Sequence, residues 1–296
     1  MLTILGAVAS PRLNKRQRRR LLPTVLLLAS GLSAQAALPT LVSTNLCTDQ
    51  AVLSLADPTQ ILALSPKSHD RRYTSMAEQA RNYPINHASA EEVLAWHPDL
   101  VVTSRPWAGS RHGRLLAKHG IRLLVLPGNP HTLADMNAAI RLLAAALGRT
   151  EAGERLIGDL RRRVRALPRH DSTVIYLRPN GGSAGQDTYV DTVFQWLGLR
   201  NLSAAEGIHG WGRFPLEYLV VQPPDVIVTS FFDLRRPLRK SLYGRHPALR
   251  DLLAQRPHID IPSADWACGD WHLIQVAETI ARSLDALVAS GRLGAP

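Results

Sequence analysis

The chain has few of the features that mark a lipoprotein, a membrane-spanning protein or a nucleic-acid-binding protein. It contains only two cysteines, and Cys47 follows Thr44-Asn45-Leu46 instead of the small residues of a lipoprotein cleavage site. No later segment approaches the roughly 20 continuous apolar residues that a membrane span needs. No basic stripe is interleaved with aromatic residues, so no nucleic-acid partner is indicated.

The first 36 residues contain no acidic residue and six basic ones, so they supply over half of the formal net charge. Of the formal net charge of +11, six charges come from Arg12 and the basic cluster at 15–20, leaving +5 for the remainder. That cluster precedes the apolar stretch 21–32 and small residues around Ala34-Gln35-Ala36, the three parts of a secretory signal. We expect residues 1–36 to be a cleavable signal peptide and the mature protein to be periplasmic.

Enzyme motifs are also lacking. We find no nucleophile elbow, phosphate-binding glycine loop or His-Glu-x-x-His sequence. The glycine-rich stretch 181–185 has no following lysine and is better explained as a turn. We therefore expect a protein that binds a ligand without transforming it.

An internal repeat is the most informative positive feature. Residues 89–104 align without gaps on residues 215–230. Six residues, Glu91, Pro98, Asp99, Val102, Thr103 and Ser104, recur as Glu217, Pro224, Asp225, Val228, Thr229 and Ser230. Each copy predicts a short helix that ends before proline, followed by an apolar strand. Strands without polar alternation are typical of parallel sheets covered by helices on both faces.

Further strands are predicted at 41–42, 61–64, 122–126, 173–177 and 258–261, with helices between them. This alternation predicts an α/β fold with two Rossmann-like lobes. A long amphipathic stretch between the halves predicts a single helix that joins them. The expected organisation is a signal peptide at 1–36, an N-terminal lobe at 37–149, a linking helix at 150–168 and a C-terminal lobe at 169–296, with the ligand cleft between the lobes.

With the doubled Glu-x6-Pro-Asp unit, the chain resembles the Fe/B12 periplasmic-binding family, the helix-linked substrate-binding proteins of ABC importers for ferric siderophores, haem and cobalamin. The resemblance implies that Glu91 and Glu217 dock onto arginines of a permease in the inner membrane. Each ion pair alone is worth roughly 0–1 kcal/mol if it stays exposed. A glutamate near a helix N-terminus also complements the helix dipole, but two glutamates at equivalent positions favour docking.

The resemblance also implies a ligand, a cobalt- or iron-containing chelate, in the crevice at the carboxyl ends of the strands. Trp211 and the Asp265-Trp266 pair resemble ring-contacting positions of the cobalamin-binding member, which places cobalamin slightly ahead of a ferric siderophore or haem. Ile85 departs from that member, which has a tryptophan there. The predicted ligand-binding residues are Trp107, Arg178, Trp211, Asp265 and Trp266, with Arg105 and Arg213 as further candidates for clamping an anionic chelate.

The two cysteines, Cys47 and Cys268, fall in predicted cleft loops of opposite lobes. They could form a disulfide, ligate a metal or remain buried thiols. A metal site is the weakest of these, because no histidine lies at close ligand spacing to either cysteine. Apart from its ligand, the protein is expected to need no metal or other cofactor, and to act as a monomer.

Two alternative functions stay open at this stage. A chelatase that inserts a metal into a tetrapyrrole has a similar architecture, but export argues against it. A binding protein for free zinc or manganese would need several converging histidines and carboxylates, and the sequence has no histidine-rich loop.

Overall fold

The structure is a computed structural model that describes residues 37–232 and 241–294. The predicted signal peptide lies outside the described residues. Ten strands follow in chain order: β1 Leu41–Ser43, β2 Ile61–Ala63, β3 Leu100–Ser104, β4 Arg122–Leu126, β5 Thr173–Leu177, β6 Gly182–Ala184, β7 Arg200–Asn201, β8 Trp211–Arg213, β9 Val226–Ser230 and β10 His258–Ile261.

The described helices, apart from three short 3-10 turns, are α1 Leu46–Leu55, α2 Ala77–Ala80, α3 Ala90–Ala95, α4 Arg105–Ala108, α5 Arg111–Lys118, α6 Leu133–Leu147, α7 Thr150–Ala166, α8 Tyr189–Trp196, α9 Leu202–Ala205, α10 Leu216–Val221, α11 Pro247–Gln255 and α12 Leu273–Ala289. No described helix is long and apolar enough to cross a membrane.

Two parallel four-stranded sheets form the centres of the two lobes, which confirms the predicted α/β fold. The first has the strand order β2-β1-β3-β4 and the second the order β7-β5-β9-β10. These orders match strand for strand, with β1 equivalent to β5 and β3 to β9. The sequence repeat is therefore the central helix-strand unit of each sheet, α3 with β3 and α10 with β9.

The repeated aspartate ties this unit to the neighbouring strand in the same way in both lobes. The Asp99 carboxylate accepts hydrogen bonds from the backbone N–H and the hydroxyl of Thr40, at 2.8 and 2.9 Å. The Asp225 carboxylate accepts the equivalent pair from Thr173, at 2.7 and 2.6 Å. Each aspartate thus fixes the start of the central strand against the strand beside it.

The predicted linking helix corresponds to α7, which packs against α6. Gly153 permits this close crossing, because a Cβ atom at that position would lie 2.5 Å from the Ala144 Cβ. Arg163 of α7 forms a two-pronged ion pair with Glu278 of α12, with both N–O distances at 2.8 Å. One buried apolar cluster runs through both sheets, α6, α7 and α12, so the lobes share a continuous core behind the cleft.

Candidate functional site

The centre of the candidate site lies where the two middle strands of the second sheet end. Because β5 and β9 are parallel neighbours, with Leu177 opposite Thr229, the residues that follow them come together. Arg178 follows β5, and its guanidinium carbon lies 4.6 Å from the centre of the Phe231 ring that follows β9. Phe231 has a φ of 67°, a left-handed conformation that is costly for a bulky residue.

Trp211 covers the Arg178 guanidinium as well, with 4.5 Å between the guanidinium carbon and the indole centre. The Arg178 Nε donates a hydrogen bond of 3.0 Å to the Tyr176 hydroxyl. The planar cation is therefore held by two aromatic rings and one hydrogen bond, a geometry in which cation–π attraction is appreciable. Trp211 itself is 42% exposed, so part of its ring remains accessible to a ligand.

A cavity of about 640 Å³ opens beside this arginine. Its described lining residues are Arg178, Pro179, Asn180, Arg213, Phe231, Ser241, Leu242 and Tyr243. Two are arginines and none is acidic. The Tyr243 hydroxyl is buried and has no hydrogen-bond partner among the described residues. Burial and the nearby Glu217 charge raise the pKa of Tyr243 to about 12, against the opposing effect of Arg213. At neutral pH this hydroxyl is a donor.

Beneath Trp211 lies a layer of aromatic side chains. The Tyr189 ring meets Trp211 edge to face with centroids 5.2 Å apart, and Trp266 meets Tyr176 in the same manner at 5.5 Å. Tyr189 donates a hydrogen bond of 3.1 Å to the Trp266 carbonyl, and burial raises the Tyr189 pKa so that its hydroxyl keeps its proton. Trp266 is fully buried, so it supports the site from below instead of facing the cavity.

Two other predicted residues do not join the aromatic layer. Trp107 is half-buried, packs with the core of the first lobe, and donates its indole N–H to the Ala88 carbonyl at 3.2 Å. Asp265 is exposed and borders a small cavity near Cys268 at the junction of the lobes. The structure thus brings together Arg178 and Trp211, and the further candidate Arg213 lines the same cavity as Arg178.

The structure contains a disulfide between Cys47 and Cys268, with 5.4 Å between the Cα atoms. It joins the first turn of α1 in the first lobe to the loop after β10 in the second. Hydrogen bonds cross the same junction. Ser263 Oγ donates to the Arg72 carbonyl at 3.0 Å, and the Trp271 indole donates to Ser54 Oγ at 3.2 Å.

In the first lobe, Tyr73 is an aromatic residue that the sequence did not mark. Its ring is contacted by two cations, Lys67 Nζ at 5.4 Å from the ring centre and Arg72 at 5.8 Å. Tyr176, Tyr189 and Phe231 were missed as well. The usable signal was the position of Phe231, which directly follows a buried strand, as Arg178 does.

Glu91 and Glu217 occupy the first turns of α3 and α10. Both are exposed, and neither forms an ion pair within the described residues. Their carboxylates are thus available to a partner, and their docking role stays a prediction. The described residues also include no group of three or more His, Cys, Asp or Glu side chains that could hold a metal ion.

Comparison with solved structures shows similar folds. The apo periplasmic haem-binding protein RhuT from Roseiflexus sp. RS-1 has a TM-score of 0.68 at 22% identity, covering 84% of this chain and 99% of that one. The haem-binding protein HutB of Vibrio cholerae also has a TM-score of 0.68, at 21% identity over 83% of this chain and 98% of its own. The vitamin B12-binding protein BtuF of the same organism has a TM-score of 0.60 at 16% identity, covering 84% and 97%.

No curated protein matches the chain. Identities at this level establish the fold without fixing the ligand. The sequence model of the periplasmic binding proteins, however, matches residues 41–252, which include both central sheets except for β10. From the match over most of its length and from its two-lobed fold, this chain belongs to the periplasmic binding protein family.

Proposed function

We propose that this protein is an exported substrate-binding protein that carries an anionic metal chelate to an ABC importer in the inner membrane. One observation carries the proposal. Arg178 is held between Trp211 and Phe231 at the wall of a cavity that contains a second arginine, Arg213, and no acid among its described lining residues. A flat ligand with carboxylate groups matches both features.

The arrangement leaves Arg178 able to bind such a group. Its Nε donates to the Tyr176 hydroxyl, the Tyr189 hydroxyl also lies within hydrogen-bonding reach of the guanidinium, and no described carboxylate pairs with it. The guanidinium therefore keeps N–H donors for a ligand carboxylate, in the planar arrangement that distinguishes arginine from lysine. The cavity of about 640 Å³ falls within the range of roughly 300–1,000 Å³ typical of small-molecule sites.

This geometry changes the order of ligands expected from the sequence. Cobalamin was placed slightly ahead because of Trp211 and the Asp265-Trp266 pair, but Trp266 is fully buried. The corrin rim carries neutral amides, which make no use of two arginines that pair with no described carboxylate. The propionates of haem and the carboxylates of a ferric carboxylate siderophore can both pair with these arginines. We therefore place an anionic chelate ahead of cobalamin.

The remaining alternatives have less support. A bare zinc or manganese ion needs several converging ligands, and the described residues bring together no such group. A chelatase would act on the same class of ligand in the cytoplasm, and the signal sequence argues for export.

The test is a tryptophan-fluorescence titration of the purified protein with haemin, ferric citrate and cyanocobalamin. We expect at least one anionic chelate to bind, and Arg178→Gln to weaken it by about 10- to 100-fold, the cost of losing charge-assisted hydrogen bonds. Arg250→Gln is the matched control, because that side chain is 80% exposed on α11. If only cyanocobalamin binds, cobalamin returns to first place among the expected ligands. If none of the three binds, the proposal is overturned.

A further inference from the structure

We propose that the Cys47–Cys268 disulfide positions the ligand-binding residues of the second lobe by fixing the loop at 266–269 on which Tyr189 packs. This inference rests on the proposed function for the identity of the site, although the coupling it describes can be tested without a ligand. It assigns Gly269 and the two cysteines as positioning residues that do not touch the ligand themselves.

The first-lobe end of the disulfide is firmly held. Cys47 lies in the first turn of α1, and the Asn45 side chain caps that helix by accepting hydrogen bonds from the backbone N–H groups of Cys47 and Thr48, at 3.1 and 3.2 Å. Such a cap stabilises a helix start by about 1 kcal/mol. A bond to Cys47 therefore attaches the loop at 266–269 to a rigid part of the opposite lobe.

The loop in turn touches Tyr189 at two points. Its Trp266 carbonyl accepts the Tyr189 hydroxyl at 3.1 Å. On the other side, Gly269 lies so close to the ring that a Cβ atom there would come within 2.4 Å of Tyr189 Cδ1. The loop thus grips both the hydroxyl and the ring edge of one side chain.

Tyr189 passes this restraint to the ligand site. It packs edge to face on Trp211, with centroids 5.2 Å apart, and Trp211 covers Arg178 at 4.5 Å. From the disulfide to the proposed ligand-binding cation, the path consists of van der Waals and hydrogen-bonded contacts between named groups. A displacement of the loop would therefore move the indole that holds Arg178 in place.

Packing around the disulfide leaves two small voids. Cavities of about 20 and 50 Å³ border Cys268 and Cys47, each lined by residues of both lobes. The buried Asn45 Nδ2 and Asp270 Oδ2 atoms beside them have no hydrogen-bond partner within residues 37–232 and 241–294. Voids remove the dispersion contacts that normally fix a core residue, so the covalent bond adds restraint to the hydrogen bonds that cross this junction.

The experiment compares wild type with Cys47→Ser/Cys268→Ser and with Gly269→Ala. Gly128→Ala is the matched control, because Gly128 borders the same junction but a Cβ atom there meets nothing within 4 Å. The tryptophan bands of the near-UV circular dichroism spectrum, to which the disulfide does not contribute, report the aromatic layer of the ligand-free proteins. Titration with haemin and ferric citrate reports binding.

We expect both test variants to lose near-UV intensity and to bind the chelate about tenfold more weakly or worse, since a pre-organised site is loosened, while Gly128→Ala matches wild type. A far-UV spectrum like that of wild type establishes folding, and Gly269→Ala keeps the test valid if the double serine variant does not fold. Near-UV spectra and affinities equal to those of wild type would overturn the coupling. If wild type binds neither probe, the proposed function fails, and the near-UV comparison alone decides the coupling.

Discussion

Asp49 is the residue whose chemistry differs most from its ordinary behaviour. It lies on α1 and is fully buried, and it accepts hydrogen bonds from the backbone N–H of Ser65, at 3.2 Å, and from the Ser65 hydroxyl. Burial raises the pKa of its carboxyl to about 7, although hydrogen bonds from Ser65 and neighbouring serines oppose the rise. Asp49 anchors the start of the loop that carries Lys67 and Tyr73.

This carboxyl predicts a specific pH dependence of stability. Between about pH 4 and pH 7 the folded protein keeps the Asp49 proton, whereas the unfolded chain, with an aspartate pKa of about 3.9, releases it. The contribution of Asp49 to the free energy of unfolding therefore falls as the pH rises through this window, by at most about 1.4 kcal/mol per pH unit, and levels off above pH 7. Asp49→Asn should remove this component.

The measurement is urea unfolding of wild type and Asp49→Asn at half-unit steps from pH 5 to pH 8. Their difference isolates Asp49 from histidines that titrate in the same range. Asp251→Asn, at a side chain that is 64% exposed, serves as control and should leave the wild-type pH profile unchanged. A difference between Asp49→Asn and wild type that does not vary with pH would refute the assignment.

At the same scale, the sequence predicted the position of Arg178 at a strand end but not the burial of Trp266. A residue directly after a buried strand of a parallel sheet lies at the ligand edge, so position alone was sufficient for Arg178. Whether a loop side chain faces the cavity or folds beneath it depends on what packs on the loop. Trp266 is buried by Tyr176 and Tyr189, contacts that no local pattern encodes.

Among the elements, the repeated helix-strand unit offers a matched pair for mutation. Asp99→Ala and Asp225→Ala each remove hydrogen bonds to a threonine backbone N–H and hydroxyl. We expect each to lower the free energy of unfolding by about 1–2 kcal/mol. Glu91→Ala and Glu217→Ala, in the same units but without such bonds, should change it by less than about 0.5 kcal/mol.

Urea denaturation of the four variants checks this ordering. A cost for Glu91→Ala or Glu217→Ala equal to that of the aspartate variants would mean that the glutamates are structural. That outcome would also remove the support for a docking role of Glu91 and Glu217.

The sequence predicted most elements because their signals are local. Apolar strands that end near proline or polar residues gave β3, β4, β5 and β10 within a residue or two, and the repeat gave the duplicated sheet. The small antiparallel sheet of β6 and β8 was missed, because its strands contain glycine and lack an apolar run. It forms only when the loops at the cleft edge meet.

In the molecule as a whole, the disulfide and the hydrogen bonds across the junction restrict how far the lobes can separate. Arg163 and Glu278 add an ion pair between α7 and α12. Because the lobes are tied on both sides, the separation of Glu91 from Glu217 should vary little. Two carboxylates at a nearly fixed spacing suit a partner with two fixed basic sites.

The last prediction therefore concerns transport. In cells of the native host that lack the chromosomal copy, we expect Glu91→Lys and Glu217→Lys each to reduce uptake of the bound chelate, and the double variant to abolish it. Reversing the charge replaces an attraction of about 0–1 kcal/mol with repulsion at each site. Glu151→Lys, at a side chain 94% exposed on the linking helix, is the charge-matched control.

Chelate affinity separates docking from binding in this experiment. Because Glu91 lies on an exposed helix turn of the first lobe, purified Glu91→Lys should bind the chelate as tightly as wild type while its uptake falls. The charge of Glu217 reaches Tyr243 in the cavity wall, so the affinity of each Glu217→Lys variant is measured beside its uptake. Salt should weaken the docking of wild type in reconstituted vesicles, because exposed ion pairs are screened. Uptake by the double variant at the wild-type rate would exclude these carboxylates as the docking device, and the repeat would then serve only to build two equivalent sheets.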